Sequence, residues 1–152
     1  MKRRDFLKTA AAAVAAPTII PASALGRNGR ISPSNRITAA VIGCGSQCNG
    51  DVGIFNTPEC QILAVCDPNK EGVGYMGGLS LGGREPFKRR VEDWYADQTR
   101  SGTYKGCAAY SDFRQIVERD DIDAVLVVTP DHWHVPISLA CVESGKDVYC
   151  EK

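Results

Sequence analysis

The sequence carries no net charge, because its 18 Lys and Arg residues balance 18 Asp and Glu residues. No overall field therefore favours a nucleic acid or an anionic membrane as a partner. Cys-x-x-Cys pairs of the zinc-binding type are also missing, although the chain has seven cysteines. This odd number, mostly in apolar surroundings, favours cysteines that fill the core, with disulfide or redox roles as the alternatives.

Long hydrophobic runs are absent as well. Residues 10–16 form a short, weakly apolar run that cannot span a bilayer, and Pro17 and Pro21 interrupt the sequence that follows. With 43% hydrophobic and 24% charged residues, the composition is that of a globular protein rather than of a disordered chain. The length suits one ordinary domain.

The start of the chain has the features of an export signal. Arg3 and Arg4 stand in a positively charged segment, and Ala22–Ala24 is an Ala-x-Ala cleavage site. This array resembles a twin-arginine signal, which a receptor reads and which does not anchor the protein; the alternative is a frayed basic tail. We therefore expect export to the periplasm without a stable membrane anchor. The expected organisation is a signal peptide at 1–24, a linker at 25–35 and a domain at 36–152.

A buried strand is predicted at Ile37–Ile42, and a glycine-rich turn follows it. Gly43 suits a tight turn out of the strand, and Gly45 lets the backbone approach a pyrophosphate without a Cβ in the way. The amides that open a following helix point at phosphate groups. We therefore predict that Ser46 and Gln47 join the two glycines in binding a dinucleotide.

Cys48 occupies the third position of this motif, where glycine normally lets the helix pack closely on the strand. Cysteine is small enough for the substitution to be tolerable. A second buried strand is predicted at Gln61–Cys66, and Asp67 follows it, 24 residues after Gly43. At this spacing a carboxylate accepts hydrogen bonds from the adenosine ribose and repels a 2′-phosphate. The expected cofactor is therefore NAD, with NADP less favoured.

The middle of the chain continues the alternation of strands and helices. Residues 71–83 contain six glycines and no helical period, which predicts a long loop, either a lid or a solvated excursion. Strands at 108–110 and 122–128 complete the pattern of a doubly wound parallel sheet. A helix at 84–99 is expected to bury Phe87, Val91, Trp94 and Tyr95. Its basic residues predict a solvated face: Arg84, Lys88, Arg89 and Arg90.

A largely polar segment follows the strand at 122–128. A helix is predicted next, through Val135, Leu139 and Val142, and Glu151 and Lys152 are the last two residues of the sequence. Ligands of an open α/β sheet lie beyond the carboxyl ends of its strands, so residues at these ends are expected to line one crevice. The pair His132 and His134 imitates a metal site, but no further ligand stands at a suitable spacing, and no metal is expected. The polar segment itself is Thr129, Pro130, Asp131, His132, Trp133 and His134.

Over about residues 36–152, these motifs in this order resemble the glucose-fructose oxidoreductase/inositol dehydrogenase (Gfo/Idh/MocA) family, and the leader with Thr129–His134 resembles its exported bacterial branch. The resemblance implies an NAD(P)-binding Rossmann domain that serves hydride transfer on a sugar or polyol. It implies that Glu151 contacts the nicotinamide ribose. It makes Lys152 the catalytic lysine, which binds substrate hydroxyls and assists proton transfer. Cofactor contacts near the nicotinamide are implied for Thr129, Pro130, Asp131, His132 and His134, with helix-start packing as the alternative for His134.

The family pattern continues beyond Lys152 with the rest of the Rossmann sheet and a second α+β domain. The resemblance therefore implies an incomplete, C-terminally truncated Rossmann domain, with the second domain absent and negligible turnover by this chain alone. It implies that the full-length protein is an enzyme and a homo-oligomer. Two alternatives stay open: an NAD-dependent glycosidase of the same fold, which oxidises its substrate transiently and regenerates the cofactor, and a non-catalytic dinucleotide-binding fragment.

Overall fold

The chain divides into two compact units, Met1–Ser34 and Asn35–Lys152, and the fold below is that of the second. The predicted signal peptide at 1–24 lies outside the described residues, as do residues 27–30 of the predicted linker. In this computed structural model the described residues are 25–26, 31–51, 53, 57–73, 81–99 and 102–152.

A sheet of five parallel strands forms the centre, in the spatial order β5-β2-β1-β6-β7. The chain builds outward from β1 through β2 to β5, and then crosses to β6 and β7 on the other side of β1. The direction of winding therefore reverses between β1 and β6, which confirms the predicted doubly wound sheet. The strands are β1 (Ile37–Ile42), β2 (Cys60–Cys66), β5 (Ala108–Tyr110), β6 (Ala124–Val127) and β7 (Asp147–Cys150).

All five strands end at the same level. Their last residues pair in one row across the sheet, from Tyr110 through Cys66, Ile42 and Val127 to Cys150. Whatever follows each strand therefore emerges along one edge, as the sequence predicts for a ligand crevice.

One face of the sheet is covered by α2 (Arg84–Thr99), which begins and ends where the sequence predicts. Phe87, Val91 and Tyr95 are buried against Val41 and Leu126 of the sheet. Trp94 is partly buried against the same cluster, so the predicted stripe is confirmed as core. The hydroxyl of Tyr95 accepts a hydrogen bond from the Ile62 amide at 2.8 Å, which satisfies its polar end.

The opposite face is covered by α3 (Arg114–Val117) and α4 (Asp131–Glu143). Ile116, Ile137 and Cys141 form the buried side of these helices. The helix predicted through Val135, Leu139 and Val142 is present, but these three residues are exposed. A short helix, α1 (Cys48–Asp51), follows β1.

Two predictions need adjustment. The strand expected at 122–128 is shorter, Ala124–Val127; Ile122 is buried ahead of it, and Val128 follows it and donates its amide to the Ile42 carbonyl at 2.8 Å. The loop at 71–83 is not wholly irregular: its ends pair as an antiparallel ribbon, with Gly72 opposite Gly82 and Val73 opposite Leu81. This ribbon consists of β3 (Gly72–Val73) and β4 (Leu81–Gly82). Residues 74–80 lie outside the described part of the chain.

Candidate functional site

A cleft of about 550 Å³ opens along the edge where the strands end. Its size is ordinary for a small-molecule or cofactor site. Its walls come from the segments after β1, β2, β5 and β6. Six of the predicted site residues line it: Gly43, Gly45, Asp67, Thr129, Pro130 and His132. Six others do not: Ser46, Gln47, Asp131, His134, Glu151 and Lys152.

Gly43 is required by the protein's own backbone. Its φ is +93°, and a Cβ there would stand 2.3 Å from the Val128 carbonyl oxygen. No side chain fits that gap, and the left-handed conformation adds strain for any other residue. Gly43 thus lets the turn after β1 pack directly against the end of β6.

Gly45 is a different case. A Cβ placed on it would meet no atom of the described residues within 4 Å, and its φ lies outside the left-handed region. Packing and strain within the protein therefore do not demand glycine here. Because Gly45 faces the cleft, its missing side chain leaves room for a ligand to approach the backbone.

Cys48, where the motif lapses, is fully buried between the sheet and the helical layer. It packs in the same cluster as Val41 and Val65. A small side chain is therefore accommodated at the helix–strand contact where glycine is usual, as the sequence analysis expected.

Asp67 is buried at the end of β2, with 8% of its surface exposed. Its Oδ2 accepts a hydrogen bond from the Cys44 amide at 2.8 Å, and its Oδ1 accepts one from the Asn69 amide at 2.8 Å. The carboxylate therefore links the glycine turn after β1 to the turn after β2. Each carboxylate oxygen keeps a further lone pair that can accept a hydrogen bond from a ligand.

The segment after β6 is organised by a histidine. His134 Nε2 lies 2.6 Å from the Thr129 carbonyl oxygen, so this nitrogen carries the hydrogen and donates it. His134 thus fixes the turn that presents Thr129 and Pro130 to the cleft, from a position outside the lining. The Thr129 hydroxyl oxygen is buried and has no hydrogen-bond partner among the described residues.

Two aromatic residues form a wall of the cleft: Trp133 belongs to the segment predicted to line it, whereas Phe113 was missed by the sequence analysis. Phe113 follows β5 and Trp133 lies in α4, and their ring centroids are 6.3 Å apart. The guanidinium of Arg114 lies 4.9 Å from the centre of the Phe113 ring. Phe113 is the third residue after the end of β5, and that position near a strand end is the signal by which it could have been found.

Two buried thiols adjoin the cleft edge. Burial raises the pKa of Cys66 to about 12, and the nearby Asp67 adds to the increase. Burial also raises the pKa of Cys44 well above its ordinary value, reinforced by neighbouring Cys48 and Asp67. Both thiols stay protonated near neutral pH and are poor nucleophiles.

Glu151 and Lys152 follow β7 at the same edge of the sheet, beyond the cleft. The amide of Glu151 donates to the Val127 carbonyl at 3.0 Å, which continues the parallel pairing by one step. Lys152 is exposed. The structure therefore brings both to the predicted edge without placing either in the cleft lining.

Among the described residues, no group of three or more His, Cys, Asp or Glu side chains is arranged to hold a metal ion. In the same part of the chain, no helix is long and apolar enough to cross a membrane.

Comparison with known families matches two segments of the chain. Residues 90–152 match the family described as "Oxidoreductase family, NAD-binding Rossmann fold". Residues 1–19 match the twin-arginine translocation pathway signal sequence. The second match confirms the predicted export signal, which directs the chain along the twin-arginine route to the periplasm.

Curated relatives are similar to the chain over part of their own length. A glycosyl hydrolase family 109 protein of Shewanella baltica is 27% identical over 165 residues, covering 98% of this chain and 33% of that protein. An inositol 2-dehydrogenase of Rubrobacter xylanophilus is 33% identical over 87 residues, covering 53% of this chain and 25% of that protein. The chain thus spans about a third or less of the length of these relatives.

A solved structure supports the fold. The myo-inositol dehydrogenase of Lactobacillus casei, crystallised with NAD(H) and myo-inositol, superposes with a TM-score of 0.55 at 20% identity. The match covers 77% of this chain and 28% of that one. At this identity the likeness concerns the fold, and it agrees with the Rossmann arrangement of the sheet.

Proposed function

We propose that the chain belongs to the Gfo/Idh/MocA oxidoreductase family, whose NAD-binding domain its residues 90–152 match, and that residues 36–152 bind NAD at the carboxyl edge of the sheet for hydride transfer on a sugar or polyol. Gly45 is the observation that carries the proposal. It lines the cleft, and no contact with the described part of the chain requires it to lack a side chain. A pyrophosphate that contacts the backbone there explains the glycine.

The adenosine half of the cofactor would lie between the turns after β1 and β2. Asp67 holds its carboxylate at the cleft with lone pairs to spare, so it can accept hydrogen bonds from ribose hydroxyls. The carboxylate accepts hydrogen bonds from two neutral backbone amides and keeps its negative charge, which would repel a 2′-phosphate. This charge supports NAD over NADP.

The nicotinamide half would lie near the turn after β6. The unpartnered hydroxyl of Thr129 suits a ligand that supplies its missing hydrogen bond. When bound, NAD supplies a nicotinamide ring that accepts a hydride. We assign to Thr129, Pro130 and His132 the contacts along this half, and to His134 the positioning of their turn.

Glu151 and Lys152 are proposed for the substrate end of the site, at the same strand edge as the cleft. An exposed ammonium group can donate three hydrogen bonds, which suits substrate hydroxyls and a proton transfer. Ser46, Gln47 and Asp131 remain proposed cofactor contacts from outside the cleft lining. A division into signal peptide 1–24, linker 25–35 and domain 36–152 completes the proposal, with a homo-oligomeric full-length enzyme and little turnover by residues 1–152 alone.

A second function is an NAD-dependent glycosidase. It is favoured by the glycosyl hydrolase family 109 relatives, whose similarity extends over 98% of this chain. In the longest polypeptide that the gene encodes, net formation of NADH from a polyol would support the dehydrogenase. Release of sugar from an aryl glycoside, dependent on NAD but without net NADH, would support the glycosidase.

The cofactor assignment is tested by titrating NAD into the 152-residue chain in a calorimeter. We expect binding by the wild type, weaker binding of NADP, and at least about tenfold weaker NAD binding by Asp67→Ala, since hydrogen bonds to a charged group contribute about 1.5–3 kcal/mol.

Gly45→Ala provides the sharper variant, because the added methyl group meets only open space in the protein. It should leave the unfolding midpoint unchanged and abolish NAD binding. Gly53→Ala is the matched control, also in open space but away from the cleft. A folded wild type that binds no dinucleotide, or a Gly45→Ala variant that binds NAD normally, would contradict the proposal.

A further inference from the structure

We propose that Arg84 is a positioning residue for the NAD site, acting through Asp67. This inference rests on the proposed function and adds a residue that the charge pattern assigned to a solvated helix face. Arg84 is the first residue of α2, and it does not line the cleft.

The guanidinium of Arg84 is directed at the backbone of the turn that carries Asp67. Its Nη1 donates to the Asp67 carbonyl oxygen at 3.0 Å and to the Pro68 carbonyl oxygen at 3.0 Å. The backbone amide of Arg84 donates to the Asn69 carbonyl at 3.1 Å. One residue therefore holds three successive carbonyls of the turn, from Asp67 to Asn69.

The next residues of the helix extend the same attachment. The Glu85 amide donates to the Lys70 carbonyl at 3.1 Å. Gly83 adopts a φ of +105°, and a Cβ there would stand 2.8 Å from the Lys70 carbonyl oxygen. Only glycine allows so close an approach at this conformation. The chain that leaves Asp67 is thus fastened to the chain that returns into α2.

This attachment also reaches the glycine turn. The Gly83 amide donates to the Cys44 carbonyl at 2.8 Å, while the Cys44 amide donates to Asp67 Oδ2 at 2.8 Å. Cys44 lies between the two glycines of the motif and is held at both its amide and its carbonyl. Three hydrogen bonds and the peptide bond between Gly83 and Arg84 therefore join Cys44, Asp67, Arg84 and Gly83 in a closed circuit.

Within this circuit Arg84 supplies what other residues cannot. A charged donor makes stronger hydrogen bonds to carbonyl oxygens than a neutral one, and a planar guanidinium can span two neighbouring carbonyls. Without it, the Asp67 and Pro68 carbonyls lose their charged donor, and the turn that directs the carboxylate is held less firmly. The loss should fall on the contact between Asp67 and the ribose.

The test measures NAD affinity of the 152-residue chain by calorimetry for Arg84→Ala, Arg84→Lys, Asp67→Asn and the double variant Arg84→Ala/Asp67→Asn. We expect Arg84→Ala to weaken NAD binding about tenfold and Arg84→Lys to recover part of the loss. In the Asp67→Asn background the Arg84→Ala change should weaken binding less than about twofold, because contacts in one network are not additive.

Arg89→Ala is the matched control. Arg89 lies on the same helix and is exposed, where it pairs with Glu71 at 3.6 Å. The Arg89→Ala variant should bind NAD with an affinity within about twofold of the wild type's, since exposed ion pairs contribute little to stability.

A readout without the cofactor separates this inference from the proposed function. In the ligand-free chain, the Cys44 and Asn69 amides should exchange hydrogen faster in Arg84→Ala than in wild type or Arg89→Ala. If the wild type fails to bind NAD, the proposed function falls, and the exchange rates still decide the positioning role. Unchanged exchange, or an Arg84→Ala loss of the same size in the Asp67→Asn background, would overturn it.

Discussion

The two halves of the strand edge are held together in different ways. At the ends of β1 and β2, hydrogen bonds within the protein occupy both oxygens of Asp67 and both backbone polar groups of Cys44. At the ends of β6 and β7, the Thr129 hydroxyl is buried without a partner among the described residues, and Lys152 is exposed. The first half is therefore organised by the domain itself, whereas the second leaves polar groups available for a ligand.

Thiol chemistry gives the largest expected contrast between the halves. Cys66 is buried at the end of β2, whereas Cys150 is exposed at the end of β7. With the pKa of Cys66 raised to about 12, its thiolate is roughly a thousandfold scarcer near neutral pH than that of an ordinary thiol. Titration with a coloured disulfide reagent at pH 8 should therefore find one fast thiol in the folded chain and seven after unfolding. Fast reaction of Cys44, Cys48 or Cys66 before unfolding would contradict the burial of the first half.

Gly43→Ala should break the junction between the halves. The new methyl group would clash with the Val128 carbonyl and demand a left-handed conformation of alanine. We expect the free energy of unfolding to fall by about 3 kcal/mol, measured by urea denaturation. The control is Gly45→Ala, which should unfold as the wild type does; equal losses for the two variants would remove the distinction drawn between these glycines.

His134→Ala tests the ordering of the second half. Losing its hydrogen bond to the Thr129 carbonyl should loosen the turn and weaken NAD binding about fivefold, the equivalent of about 1 kcal/mol. His134→Gln keeps a hydrogen-bond donor, so its NAD affinity should lie between those of the wild type and His134→Ala. An affinity for NAD that does not change in His134→Ala would show that this turn is held by other contacts.

Asp123→Asn should have the smallest effect and lies at the opposite end of the strands. The Asp123 carboxylate accepts hydrogen bonds from the amide and hydroxyl of Thr38 at 2.7 and 2.8 Å, which lower its pKa. A lowered folded-state pKa stabilises the protein above the pKa of the unfolded chain, and this contribution is lost as pH falls through the folded value. The variant should be slightly less stable at pH 7 and should lose less stability between pH 5 and pH 3. NAD binding should not change.

Much of the architecture could be predicted from local patterns. The buried strands, the glycine turn and α2 each follow from a short run of residues with a clear period or a clear conformational need. The contact between Phe113 and Trp133 in the cleft wall could not be predicted this way, because it depends on two segments 20 residues apart meeting across the sheet edge. The role of Arg84 was hidden for the same reason: its partners are backbone carbonyls, which leave no trace in the sequence.

The level ends of the five strands separate two kinds of position. Residues before the row are bound into the ladder and the two cores, so changes there alter whether the domain folds. Positions such as Ser111 and Thr129 come after the row and can vary in chemistry while the ladder stays intact. Substitutions meant to change which ligand this edge binds should therefore be made at those positions. Gly43 and Asp67 should be left unchanged, because they come after the row and also hold neighbouring strand ends together.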